Sequence, residues 1–122
     1  MNMREIKFRA WDKINKDMFN VESINFQERR VYKDTVSYRN FEDIDLMQCT
    51  GLKDKNNKEI YEGDIVFLHG SKYKVIFKTE GARFVLRNNE FELEITFINN
   101  NNKRMEIVGN IYENPELMEE VR

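Results

Sequence analysis

Three observations predict a mainly β protein. Apolar and polar residues alternate with a period of two in several short runs of the 122-residue chain, which is the pattern of strands buried on one side. Clusters of turn-forming residues separate those runs. In residues 72–98 the turns and the alternation agree on one register, and such agreement between local signals marks a pairing that folds.

Taken in order, residues 4–11 place Ile6, Phe8 and Ala10 on one face and Lys7, Arg9 and Trp11 on the other. Residues 12–17 are turn formers. Met18 to Phe26 reads as a second strand, and Val31-Tyr32 as a third after the charged tip Glu28-Arg29-Arg30. Asn40 is placed to cap a single helical turn that brings Phe41 and Ile44 together. Asp45 to Cys49 reads as a short strand ended by Thr50-Gly51. Lys53 to Lys58 is polar and reads as an exposed loop. Ile60-Tyr61 returns, Glu62-Gly63-Asp64 turns, and Ile65 to Leu68 is a buried strand. Met47 to Val66 thus joins two blocks of short strands, residues 1–46 and 47–122.

The second block begins with His69-Gly70-Ser71 as a turn. Tyr73, Val75 and Phe77 then face one way, and Lys72, Lys74 and Lys78 the other. A turn at Glu80-Gly81 pairs Phe77 with Phe84 and Val75 with Leu86. A two-residue turn at Asn88-Asn89 pairs Arg87 with Glu90 and Arg83 with Glu94. Asn99 to Asn102 is a polar loop, Met105 to Tyr112 holds a last strand with a bulge expected at Gly109, and Asn114-Pro115-Glu116 starts a short terminal helix with Asn114 as its cap. Leu117 and Val121 are spaced to dock it.

Composition narrows the function. There are 20 basic and 22 acidic side chains and no basic arm, so bulk charge does not favour a polyanion binder. The single cysteine, Cys49, cannot form an internal disulfide and suits a reducing compartment such as cytoplasm; it reads as a small buried hydrophobe. No apolar run is long enough for a signal peptide core or a membrane span. The nine Phe, five Tyr and one Trp matter for a core of this size, since each aromatic can bury on the order of 150–250 Å².

Three blocks carry a resemblance: Arg4 to Asp12 (REIKFRAWD), Thr50 to Val66 (TGLKDKNNKEIYEGDIV) and Val108 to Leu117 (VGNIYENPEL). They resemble the YopX family of phage and prophage proteins. Asn57 stands where such proteins commonly carry glycine, and asparagine tolerates the same positive-φ turn. The resemblance implies an N-terminal β segment packed on a small SH3-like barrel with a short C-terminal helix, in a phage or prophage protein. It brings no catalytic residues, and the barrel hosts many functions.

The residues offer four candidate sites. Trp11, on the polar face of the first strand, is a candidate contact or subunit seam. Lys53, Asp54, Lys55 and Lys58 form a loop tip that a protein partner can reach. Lys72, Lys74, Lys78, Arg83 and Arg87 form a cationic row interleaved with aromatics, suited to nucleic acid but opposed by Glu90 and Glu94. The acidic loop Asp54, Glu59, Glu62 and Asp64 has the ligand type for Mg²⁺ and a metal-dependent hydrolase, although Asp64 after Gly63 equally suits a hydrogen bond to turn amides. His69 lacks the companions of a zinc site. The expectation is therefore a non-enzymatic protein without cofactor or membrane association, acting by binding a protein or by self-association, with nucleic acid as the alternative.

Overall fold

The structure is a computed structural model and describes residues 5–90, 93–97 and 100–119. It is mainly β, and its three helical segments are 3₁₀ turns of three or four residues. Two compact units divide the chain, Met1–Cys49 and Thr50–Arg122.

In the first unit, β1 (Phe8–Asp12) lies between β2 (Asp17–Asn20) and the first part of β6 (Ile44–Lys53), both antiparallel to it. A separate three-stranded sheet runs in the order β3 (Ser23–Asn25), β4 (Arg30–Tyr32), β5 (Tyr38–Asn40). Ala10, Val31 and Ile44 form the buried core, with Phe19, Val21 and Phe41 packed on it. The single strand expected over Met18 to Phe26 is two strands. The Val21 N–H donates to the Phe8 carbonyl (3.0 Å) and the Glu22 N–H to the Tyr32 carbonyl (2.9 Å), so the chain leaves one sheet and joins the other between these neighbours. The helical turn after Asn40 forms at Phe41–Asp43, but the Asn40 side chain makes no capping hydrogen bond.

Strand β6 does not end at Thr50-Gly51. The Thr50 hydroxyl donates to the Ile60 carbonyl (2.9 Å) and accepts from the Leu52 N–H (3.1 Å). Gly51 bends the strand at φ 85°, a conformation that favours glycine, and pairing with β7 (Glu59–Tyr61) continues beyond it.

The second unit holds β8 (Asp64–Leu68), β9 (Ser71–Lys78), β10 (Arg83–Asn88), β11 (Leu93–Thr96) and β12 (Glu106–Asn110). The first four make an antiparallel meander. After a 3₁₀ turn at Asn101–Arg104, β12 returns beside β8, giving the order β11-β10-β9-β8-β12. This is the SH3-like arrangement, here a sheet curled into a half-barrel. Its inner face buries Val66, Leu68, Tyr73, Val75 and Leu86 with Ile60 and Met105.

The β9–β10 register is the expected one, with Phe77 opposite Phe84 and Val75 opposite Leu86. The next hairpin differs. Asn88 is not a turn residue but a buried strand residue opposite Leu93, and its side-chain amide donates to the Lys72 carbonyl (3.0 Å). The connection therefore spans residues 89–92, of which 91 and 92 lie outside the described residues together with 98 and 99. Arg87 consequently faces Glu94, not Glu90. The shift is an even number of residues, so each side chain keeps its expected face while its partner changes.

The bulge in β12 is present between Ile107 and Gly109. Gly109 leaves room for the last 3₁₀ turn, Pro115–Met118: a Cβ there would lie 2.6 Å from Asn114 Oδ1 and 2.8 Å from Leu117 Cδ1. Asn114 does not cap that turn; its side-chain oxygen accepts from the Asn110 N–H (3.2 Å). Val121 lies outside the described residues.

Candidate interaction surfaces

The hairpin between β6 and β7 is built around Asp54. This residue was expected on an exposed tip; it is 4 % exposed. Its Oδ1 accepts from the N–H groups of Asn56 and Lys58 (2.9 Å each), and its Oδ2 accepts from the N–H of Ile107 in β12 (3.0 Å). Burial alone would raise the Asp54 pKa, but the Ile107, Lys58 and Asn56 amides and the Lys58 charge outweigh it and hold the carboxyl below its ordinary value. A second tie runs from the Lys55 N–H to the Met105 carbonyl (2.9 Å), and a third from the Asn102 side-chain amide to the Lys53 carbonyl (2.8 Å). Asn57 takes the left-handed turn position at φ 66°.

These ties leave Lys53, Lys55 and Lys58 exposed on a fixed tip. They also bring the 100–103 turn beside it. A shallow cleft of about 480 Å³ is lined by Lys53, Lys55, Asn57, Asn100, Asn102 and Lys103, with Asp54 at its side. Only Lys55 among these lysines forms an ion pair among the described residues, with Glu106 at 3.5 Å. Lys103 was not foreseen from the sequence, because its approach to Lys53 depends on a hydrogen bond spanning 49 residues.

The acidic loop does not present a set of open carboxylates. Both Asp54 oxygens accept main-chain hydrogen bonds, and the buried Asp64 accepts from the Tyr61 N–H (2.7 Å). No group of three or more His, Cys, Asp or Glu residues placed to hold a metal ion occurs among the described residues.

The cationic row lies on one face of β9 and β10. Glu94 sits within it, accepting from Lys78 Nζ (2.6 Å) and from the Arg87 guanidinium (2.9 Å). The Lys78 hydrogen bond, ahead of the charges of Lys78 and Arg87, holds the Glu94 carboxyl below its ordinary pKa. Two of the five cations thus share one counter-charge. Lys72 and Lys74 lie further along the same face and Arg83 is exposed beside the Gly81 turn.

Trp11 is half-buried in the central strand β1, opposite Met18 on one side and Asp45 on the other. Its neighbour Asp12, read only as a turn former, is fully buried. Asp12 accepts from the N–H groups of Ile14 and Asn15, from the Asn15 amide and from Arg39 Nε at 2.5 Å. Burial would raise its pKa, but the Asn15 main-chain N–H and the Arg39 guanidinium lead the hydrogen bonds that pull it far below the usual carboxylate range.

The first unit also exposes aromatics beside arginines. Arg30 stacks over Tyr38 (4.2 Å to the ring centroid) and Arg29 over Phe41 (5.2 Å). Phe26, 74 % exposed, meets Phe41 edge-on, and Tyr32 lies against Tyr38. The separate runs Phe26-Gln-Glu-Arg-Arg30 and Tyr38-Arg-Asn-Phe41 held the signal, but only the β3–β4–β5 register joins them.

The YopX protein family matches residues 7–119. The crystal structure of protein EF1440 from Enterococcus faecalis superposes with a TM-score of 0.77 at 31 % identity, covering 96 % of this chain and 100 % of that one. The crystal structure of YopX from Bacillus subtilis superposes with a TM-score of 0.59 at 19 % identity, covering 95 % and 98 %, and so shares the fold. A search of curated proteins finds no match. With the family pattern spanning nearly every described residue and a relative covered end to end, this chain belongs to the YopX family.

Proposed function

We propose that this chain is a non-enzymatic accessory protein, encoded by phage or prophage and working in the bacterial cytoplasm, that acts by binding a protein with an acidic surface. One observation carries the reading: the Asp54 ties fix a tip on which Lys53, Lys55 and Lys58 are exposed beside a cleft that Lys103 also lines. A surface ordered before binding pays less entropy on association, and a cluster of one sign steers a partner of the other. Nucleic acid through the 72–87 hairpin is the second reading; Glu94 weakens it by neutralising Lys78 and Arg87. The hydrolase reading loses two of its four carboxylates to main-chain hydrogen bonds.

The test is a pull-down from host cells with the wild-type chain and with a Lys53→Glu/Lys55→Glu/Lys58→Glu variant, which retains Asp54 and hence the hairpin. A protein captured by the first and lost from the second, and released by moderate salt, is the expected result. Identical capture by both baits refutes the tip as the contact surface.

A further inference from the structure

Among the described residues, the three-stranded sheet of the first unit has an edge, β3, that pairs with no further strand. Lys33 N–H donates to the Ser37 carbonyl and Phe41 N–H to the Arg29 carbonyl (2.9 Å each), so odd-numbered residues of and around β4 turn their main-chain groups toward β5. Arg30 and Tyr32 therefore face β3, opposite Asn25 and Ser23. By the alternation of an antiparallel ladder, Ile24 between them directs its N–H and C=O away from the sheet, and β3 is an outer strand in the sheet order.

A cavity of about 560 Å³ runs along this edge from Glu22 to Phe26 and is bounded by Tyr32, Asp34 and Thr35. Its lining contains two carboxylates, two aromatic rings and no cation. Of the cations beside it, Lys33 lies over the Phe19 ring (5.3 Å), and Arg30 lies over Tyr38 while pairing with Glu28 (3.1 Å) and hydrogen-bonding the Tyr32 side chain. Asp34 is held in place by the Val36 and Ser37 N–H groups (2.9 and 2.7 Å), both on Oδ1. Fixed carboxylate beside aromatic ring is the chemistry that recognises a guanidinium or ammonium group, and an open strand edge is the chemistry that recognises an extended chain.

We propose that the β3 edge takes up an extended peptide segment of a partner protein by strand addition, with a basic side chain of that segment lodged between Glu22, Asp34 and the Tyr32 ring. This site lies apart from the Lys53–Lys58 tip in the sequence and does not depend on it.

The test is fluorescence polarisation with the full chain and a labelled heptapeptide of alternating Val and Thr around a central Arg. Saturable binding is expected, roughly tenfold weaker when the peptide Arg becomes Glu and when Glu22 is replaced as Glu22→Lys. Asp34→Asn, which keeps the oxygen that holds Val36 and Ser37, weakens binding several-fold without changing the circular dichroism. N-methylation of alternate peptide nitrogens abolishes binding on one edge of the peptide and spares it on the other. Lys53→Gln/Lys55→Gln/Lys58→Gln leaves it unchanged, which separates this site from the tip. Equal binding of the Arg and Glu peptides, indifference to N-methylation, or no saturation up to about 1 mM overturns the proposal. So does a dimer in light scattering that Glu22→Lys dissolves, because the edge then belongs to a second copy of the chain.

Discussion

Replacing Asp54 by alanine removes three charge-assisted hydrogen bonds at once. The Asn56 and Lys58 amides lie in an exposed turn and regain water, so each costs well under the full penalty. The Ile107 amide lies in β12 and loses its partner in a part-buried position. At about 1–3 kcal/mol for such an orphaned group and about 1 kcal/mol for each rehydrated one, the loss sums to about 3–5 kcal/mol. For a domain of this size that is roughly a 12–20 °C fall in Tm and a large share of the usual 5–15 kcal/mol stability. Urea unfolding followed by circular dichroism measures it, with an unchanged slope confirming that only stability moved. Amide exchange at Ile107 supplies a local reading, because that proton loses protection first. Lys58→Ala keeps the main-chain N–H and should cost less than about 0.5 kcal/mol. A loss below about 0.5 kcal/mol for Asp54→Ala, or an equal loss for Lys58→Ala, refutes the assignment of Asp54 as the hairpin's anchor.

Acidification tests the same group and Asp12 together. Both carboxyls have folded pKa values below their unfolded ones, so their stabilisation is complete above the unfolded value near 3.9 and is lost as pH falls through the folded values. Wild type should therefore lose urea resistance below about pH 4, and Asp54→Asn, measured between neutral and acid pH, should lose less. Arg39→Ala leaves the buried Asp12 carboxylate with its Ile14 and Asn15 donors and should cost about 1–3 kcal/mol, whereas Asp12→Ala should cost more. Gly109→Ala forces Asn114 and Leu117 to move and should destabilise by about 1–2 kcal/mol, read as a lower Tm. Glu94→Gln frees Lys78 and Arg87 with little change in Tm; if the 72–87 hairpin binds nucleic acid, affinity for single-stranded DNA at low salt should rise several-fold.

Features set by neighbours in sequence were legible. The alternation of Tyr73, Val75 and Phe77, the Glu80-Gly81 turn and the Gly109 bulge all appear as expected. Features set by distant partners were not. Asn88 looked like a turn residue because asparagine favours turns, and only the Lys72 carbonyl across the sheet explains its place in a strand. Asp54 looked like an exposed loop acid and Asp12 like a plain turn former because nothing local announces the Ile107 amide or the Arg39 guanidinium. The candidate sites followed the same division: Lys53, Lys55 and Lys58 are contiguous and were seen, whereas Lys103 and the arginine–aromatic cluster are assembled by register.

The change of sheet between Val21 and Glu22 bears on how the first unit folds. Strands β1 and β2 meet across a short turn, but β1 also pairs with β6, and the whole β3–β4–β5 meander lies in the loop which that second pairing closes. The meander's own pairings are local and form cheaply; the β1–β6 ladder must wait for a much longer closure. Closure entropy grows only with the logarithm of loop length, about 0.6 kcal/mol for each doubling. Residues added at the Asp34–Ser37 turn would therefore slow or weaken the β1–β6 ladder very little. The meander is the part of this unit where insertions can accumulate while Ala10, Val31 and Ile44 keep the same core.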